Sequence, residues 1–315
     1  MSGVLTLGET MGLFTAEEPG PAERVAGFRA GFGGAESNVA IGLARLGVAA
    51  TWLGRVGEDS AGRRIVRELR AEGVTAAVRV DATAPTGLMV KSRPIPGATR
   101  VEYLRAGSAG SRLAPEDVTE ELVAAADLVH VTGITPLLSA SAAAAVDRAI
   151  ELARAAGIPV SFDVNHRSAL ADPASAAERY RALAARATVV FAGLDEARML
   201  TGQSGGPGEL ARAIAADGPT QVVVKLGAEG CAAWIDGAAF AAPAVPISPV
   251  DTVGAGDAFV AGYLAELLAD AAPEARLRTA SRVGAFACLS AGDWEGFPHR
   301  RDLGLLDVGG DPVAR

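Results

Sequence analysis

Between residues 127 and 226, short apolar runs alternate with helical stretches at a steady pace, and no other feature narrows the possible folds as far. Residues 127–133, 158–164, 188–191 and 221–226 read as buried strands. Residues 139–156, 174–186 and 195–200 lie between them and read as helices, the first ending at Gly157. Such alternation implies right-handed crossovers, a parallel sheet with helices on both faces, and a ligand crevice beyond the carboxyl ends of the strands. Upstream, residues 4–7 form a first strand ending at Gly8. Val39, Ala40, Leu43 and Leu46 recur at helical spacing before Gly47, where a C-terminal cap belongs. Residues 49–53 read as a strand, and 60–71 as a helix ended by Gly73. Residues 12–31 and 78–106 break the pattern with turns and short strands; 86–91 and 100–105 are two of these, split by Pro94, Pro96 and Gly97. Residues 231–250 are again short strands between prolines, and helices over 256–268 and 274–290 close the chain. The expectation is one α/β domain over 1–315, with segments near 12–34 and 85–106 forming a small β-sheet lid over the crevice.

Composition removes several classes of function. The chain has 315 residues, half of them hydrophobic and 21% charged, which supports a sizeable core. A net charge of −8 disfavours nucleic acid and anionic membrane surfaces as partners. Lys91 and Lys225 are the two lysines, so nearly all positive charge is arginine. Cys231 and Cys288 are too few for a disulfide framework or a Cys-rich zinc site, and His130, His166 and His299 show no HExxH spacing. No run reaches the ~18–20 apolar residues of a membrane span. The first residues lack the pattern of a signal peptide, so a cytoplasmic protein is expected.

The sharpest local feature is the segment 251–259, DTVGAGDAF, in which a glycine-rich turn feeds an apolar helix. Amides at a helix start are unpaired and carry positive potential, and Gly254 and Gly256 let a phosphate approach closely. Asp257, in the first turn, would then stand beside a transferring group and accept a proton from an attacking hydroxyl. An ordinary capped helix is the other reading of the same residues. Neither GxxxxGK[ST] nor GxGxxG is present, so a P-loop NTPase and a Rossmann dehydrogenase are not supported.

GGAESNVAIGLARLG at 33–47, RVGEDSAG at 55–62 and DTVGAGDAF at 251–259 resemble the two signature regions of the PfkB (ribokinase-like) carbohydrate kinase family. The resemblance spans almost the whole chain. Within the family it is strongest to 2-keto-3-deoxygluconate kinases, through GGAESN, YLRAGSA at 103–109, VTGITP at 131–136, DVNHR at 163–167 and GDWEG at 292–296. It implies a three-layer α/β/α ribokinase-like fold with a mainly parallel central sheet, ATP and Mg2+ as cofactors, and transfer of phosphate to a terminal sugar hydroxyl. A fructokinase or other neutral-sugar kinase of the family is the alternative.

Carried over residue by residue, the resemblance makes Asp257 the catalytic base and Gly254, Ala255 and Gly256 the anion hole. Gly34, Asn38, Tyr103, Arg105, Arg167 and Asp293 would join Asp257 in binding a sugar acid, with guanidinium groups reading the carboxylate. Gly193, Asp195, Lys225, Gly227, Gly230 and Ser281 would flank the nucleotide, and Glu196 would help hold Mg2+ through water. Read on their own, Glu196 is a helix-start glutamate, Lys225 a strand-end lysine, Arg167 a surface ion-pair partner and Asp293 a loop carboxylate. The chain departs from the family pattern at Gly193, where asparagine is usual, and at Met89 and His166, where tyrosine is common. A homo-oligomer formed through the lid is also expected.

Overall fold

The computed structural model describes residues 3–95 and 98–307; Pro96 and Gly97, expected to split the small-sheet strands, lie outside the described residues. In chain order the strands are β1 (Gly3–Leu7), β2 (Met11–Ala16), β3 (Phe28–Gly33), β4 (Ala49–Gly57), β5 (Thr75–Asp81), β6 (Leu88–Ile95), β7 (Ala98–Leu104), β8 (Leu128–Thr132), β9 (Val160–Asp163), β10 (Val189–Gly193), β11 (Gln221–Lys225), β12 (Cys231–Ile235) and β13 (Ala238–Ala242). The helices are α1 (Ala35–Arg45), α2 (Ser60–Ala71), α3 (Glu120–Ala124), α4 (Ala140–Ala155), α5 (Pro173–Ala184), α6 (Leu194–Thr201), α7 (Pro207–Ala215), α8 (Ala255–Leu268) and α9 (Pro273–Ala287).

Among the described residues, nine strands form the central sheet in the order β13-β12-β11-β10-β9-β8-β1-β4-β5. All pairs from β5 to β11 are parallel, and β12 and β13 return antiparallel. The chain steps from β1 toward β5 on one side, then from β8 outward on the other. The carboxyl ends of β1 and β8 therefore flank a topological switch point, where crevices of open sheets lie.

Helices α1, α8 and α9 pack on one face, in a core that includes Trp52, Phe191 and Tyr263. Helices α4 to α7 cover the other face around Phe162 and Tyr180. The alanines of α4 have a packing role: Ala142, Ala145, Ala149 and Ala153 are fully buried, so the helix lies close on the sheet. Ser139 caps it by accepting from the Ala142 amide at 3.0 Å.

A second sheet, ordered β3-β2-β6-β7, stands apart. Met11, Leu13 and Met89 form a small buried apolar cluster on it with Val101 beside them, and all four face the crevice. Three elements escape the sequence reading, the one-turn α3 among them. Strand β5 is an edge strand with no fully buried residue, so its apolar signal is weak. Helix α7 follows Gly205 and Gly206 and begins with Pro207, turn-forming residues that mask the short amphipathic run behind them.

Helices α1 and α8 touch at Gly42, where a Cβ would fall 2.6 Å from that of Ala261. One turn upstream on each helix stand Asn38 and Asp257, which hydrogen-bond to each other. The missing side chain at Gly42 thus sets the spacing of two polar groups in the crevice. Gly42→Val should cost ~1–3 kcal/mol in urea unfolding through overpacking. A variant as stable as the parent would contradict the close-contact reading.

Candidate active site

The crevice at the switch point is a cavity of about 470 Å3. Gly34, Asn38, Tyr103, Arg105, Arg167 and Asp293 line it, together with Gly254, Gly256 and Asp257. A second, more apolar cavity of about 420 Å3 adjoins it, lined by Gly227, Gly230, Ala255 and Ser281. Lys225, Thr252 and Gly256 line both, so the start of α8 is a shared wall.

Backbone geometry explains that wall. Gly254 sits at φ 77° just before α8, and a Cβ there would collide with the Asp293 carbonyl oxygen. The Ala255 amide turns back to the Thr252 carbonyl at 3.3 Å. Among the described residues, the amides of Gly256 and Asp257 meet no backbone acceptor outside the helix, and the helix cannot supply one this early. The positive end of α8 therefore opens toward both cavities.

Asp257 is 7% exposed. Its Oδ2 accepts from Asn38 Nδ2 at 2.8 Å, and its Oδ1 accepts from Asn165 Nδ2 at 3.3 Å. Asn165 follows β9 at φ 40°, a left-handed conformation that asparagine tolerates, and this turns its amide inward. Burial raises the Asp257 carboxyl above its ordinary value, against the Asn38 hydrogen bond and the charges of Arg167 and Lys225. A buried carboxylate with a raised pKa is a stronger base than one in water.

Lys225, at the end of β11, holds both oxygens of Asp163 at 2.8 and 2.9 Å. Burial lifts Asp163 to about 6 while the Lys225 ammonium pulls it down. Burial opposes the charge on Lys225, but Asp163 and Glu196 outweigh it and its pKa is raised. The two contacts make Lys225 and Asp163 a close buried pair. The Lys225 Nζ lies 3.6 Å from where a Cβ on Gly256 would stand, beside the α8 start.

The two arginines differ. Arg105 pairs with the buried Glu9, whose other oxygen takes the Ser108 hydroxyl. Its guanidinium also lies 5.7 Å from the Tyr103 ring centre. Arg167 is exposed and, among the described residues, has no ion-pair partner. On the opposite wall, burial pushes Asp293 up to about 7, with nearby Lys91 pulling it down and Glu295 and Asp257 adding to the rise. Met89 lines the same cavity.

Gly193, Asp195 and Glu196 line neither cavity. Asp195 is a solvent-facing partner of Arg198 at 2.9 Å. Glu196 accepts from the Gly193 amide at 2.6 Å and from the His166 amide at 2.7 Å. It thereby ties the start of α6 to the segment carrying Asn165 and Arg167. The His166 ring meets the Tyr180 hydroxyl at 3.2 Å. Ser281 carries a buried hydroxyl with no partner, beside the second cavity. Sequence reasoning missed Glu9, Glu36, Lys91, Asp163 and Asn165 as site residues. A signal existed for Glu9 and Glu36, which are charged residues beside largely apolar strand and helix segments. Glu36 is buried, takes the Thr132 and Thr135 hydroxyls at 2.7 and 2.6 Å, and is pushed up in pKa by burial. No group of three or more metal-ligating side chains occurs among the described residues.

Two cavities that share one helix start suit an enzyme passing a charged group between two ligands bound side by side. Residues 1–300 match the pfkB family carbohydrate kinase profile, and the chain belongs to that family: it is a sugar kinase. It is 38% identical to the 2-dehydro-3-deoxygluconokinase of Thermoproteus tenax, over 96% of this chain and 93% of the relative. It is 36% identical to the enzyme of that name from Bacillus subtilis, over 95% and 93%. The solved PfkB protein from Polaromonas sp. JS666 superposes with a TM-score of 0.88 at 38% identity, covering 96% of this chain and 99% of that one.

Asp293 gives a stability test with a defined sign. Its folded pKa, about 7, lies above that of an unfolded aspartate, so ionisation costs the folded state more. Its contribution is fully present below the unfolded value of ~3.9 and is lost as pH rises through about 7. Asp293→Asn should therefore gain stability over the parent as pH rises from 4 to 8, by denaturant unfolding. A difference independent of pH would contradict the burial reading.

Proposed function

We propose that this kinase transfers the γ-phosphate of ATP to the terminal hydroxyl of 2-keto-3-deoxygluconate, giving the 6-phospho product. Arg167 is the observation that carries the reading. It is a cation at the wall of the sugar cavity with no carboxylate partner among the described residues, whereas Arg105 is already neutralised by Glu9. A neutral sugar has no need of such a charge, and a sugar acid supplies its partner. Two kinases 36% and 38% identical to this chain carry the name of that reaction.

In this reading Gly34, Asn38, Tyr103, Arg105, Arg167 and Asp293 hold the sugar acid, with its terminal hydroxyl at Asp257. Asp257 takes the hydroxyl proton as the sugar oxygen bonds to phosphorus and the bond to the departing ADP breaks. The start of α8, from Gly254 through Ala255 and Gly256, faces the charge building on the phosphoryl oxygens. Lys225 supports that charge from the shared wall. Gly227, Gly230 and Ser281 receive the nucleotide in the apolar cavity, whereas Gly193 and Asp195, which line neither cavity, contribute no wall to it. Among the described residues there is no carboxylate cage, and Mg2+ binds through phosphates and water with few protein ligands; Glu196 would act on its shell through water. Mg2+ would neutralise phosphate charge.

The chain would work as one kinase domain with the small sheet as a lid, its apolar face excluding water from the transfer. Ile95 and Leu104, 64% and 63% exposed on that sheet, support association with a second copy. Among the described residues no helix is long and apolar enough to cross a membrane, and use of ATP suits the cytoplasm.

Steady-state turnover with Mg-ATP tests the reading against 2-keto-3-deoxygluconate, its galactonate epimer and fructose. The keto acids should be strongly preferred. Arg167→Ala should raise KM for them about 10- to 100-fold, a lost charge-assisted contact of ~1.5–3 kcal/mol, and leave fructose unaffected. Preference for fructose would overturn the substrate and favour a neutral-sugar kinase.

A further inference from the structure

Both lysines of this arginine-dominated chain line the sugar cavity. Lys225 belongs to the nucleotide wall already described. Lys91 is on β6 of the small sheet and is only 5% exposed. Its Nζ lies 2.7 Å from Asp251 Oδ2 and 3.9 Å from Asp293 Oδ1. These three residues belong to three separate parts of the fold: the small sheet, the segment entering the α8 turn, and the 292–296 loop on the sugar side.

Asp251 links Lys91 to that turn. Its Oδ1 accepts from the Val253 amide at 3.2 Å, one residue before Gly254. Asp293 meets the same turn from the other side, because its carbonyl oxygen packs on Gly254. The ammonium and the hydrogen bonds on Asp251 hold its carboxyl below the ordinary value, although burial opposes this. A buried ion pair is a poor source of stability, since an apolar pair of similar volume folds about as well. Its cost points to a positional role. Lysine also suits the place, being a compact point charge that can lie between two carboxylates.

We propose that Lys91 is a positioning residue that makes phosphoryl transfer conditional on the small sheet being seated. Through Asp251 it sets the turn that presents the α8 amides, and through Asp293 it sets the sugar-side wall. With the sheet displaced, the ammonium leaves both carboxylates and the turn loses its external brace. The inference rests on the kinase reading above and adds a residue that couples the two cavities.

The test compares the parent, Lys91→Met, Lys91→Arg and Asp251→Asn, measuring ADP released and phosphosugar formed in the same reaction. The parent should give one phosphosugar per ADP. Lys91→Met and Asp251→Asn should each lower kcat at least 10-fold and release ADP in excess of phosphosugar, with ATP affinity within about threefold of the parent. Lys91→Arg should recover part of the stoichiometry. The double variant Lys91→Met/Asp251→Asn should be no worse than either single one, because each removes the same link. A one-to-one ratio with kcat within twofold in Lys91→Met overturns the proposal. So does a loss confined to sugar KM, which would make Lys91 a simple sugar contact. If Lys91→Met does not fold, Asp251→Asn decides by the same ratio. A parent that transfers phosphate to no sugar refutes the kinase reading instead, and a parent that transfers tightly alongside unchanged variants refutes only the role of Lys91.

Discussion

A carboxylate buried at the start of α8 is the constraint around which the rest of the site is arranged. Taking Asp257 out of water costs several kcal/mol unless donors and positive charge surround it. Asn38 supplies one donor from α1 and Asn165 another from the turn after β9. The open amides of α8 and the charges of Lys225 and Arg167 supply the rest. These groups come from four separate elements, and only a sheet that runs β9, β10 and β11 in order, with α1 and α8 on one face, brings them to one point. The close contact at Gly42 then fixes how near Asn38 comes. The same burial that makes Asp257 costly to ionise also makes it a capable base.

Charge is divided unevenly over the sugar cavity. Glu9 neutralises Arg105, Asp163 neutralises Lys225, and Asp251 neutralises Lys91. Arg167 has no such partner among the described residues. Among the described residues, Arg167 is thus the cation of that wall without an ion pair, though its charge also acts on Asp257; in the proposed reading it meets the acidic ligand. The small sheet brings Met11, Leu13, Met89 and the buried ammonium of Lys91 to the same cavity, and in the proposed reading it both excludes water and sets the site.

How much of this was legible depends on how local each feature is. The α8 turn was readable because its glycines, its aspartate and the apolar helix behind them are contiguous. Strands β8 to β11 were readable because each is a short, mostly apolar run between helical stretches. The sugar-side residues named from the family resemblance do line one cavity, from Gly34 to Asp293. The ion pairs were not readable: Lys91 and Asp251 are 160 positions apart, and Lys225 and Asp163 are 62 apart. Nothing local in either segment announces such a partner. Glu196 shows the opposite limit. Its place at a helix start was plain, but its bond to the His166 amide depends on how the β9 and β10 ends sit together.

The most direct test of the account is a single-turnover comparison of the parent with Asp257→Asn, with ATP and sugar binding measured on both. The substitution keeps the shape and the neighbours and removes the base. The account predicts that transfer falls by three or more orders of magnitude, a barrier increase of ~4 kcal/mol, while both ligands bind within a few-fold of the parent. Transfer within tenfold of the parent would contradict it and put the proton acceptor elsewhere in the cavity.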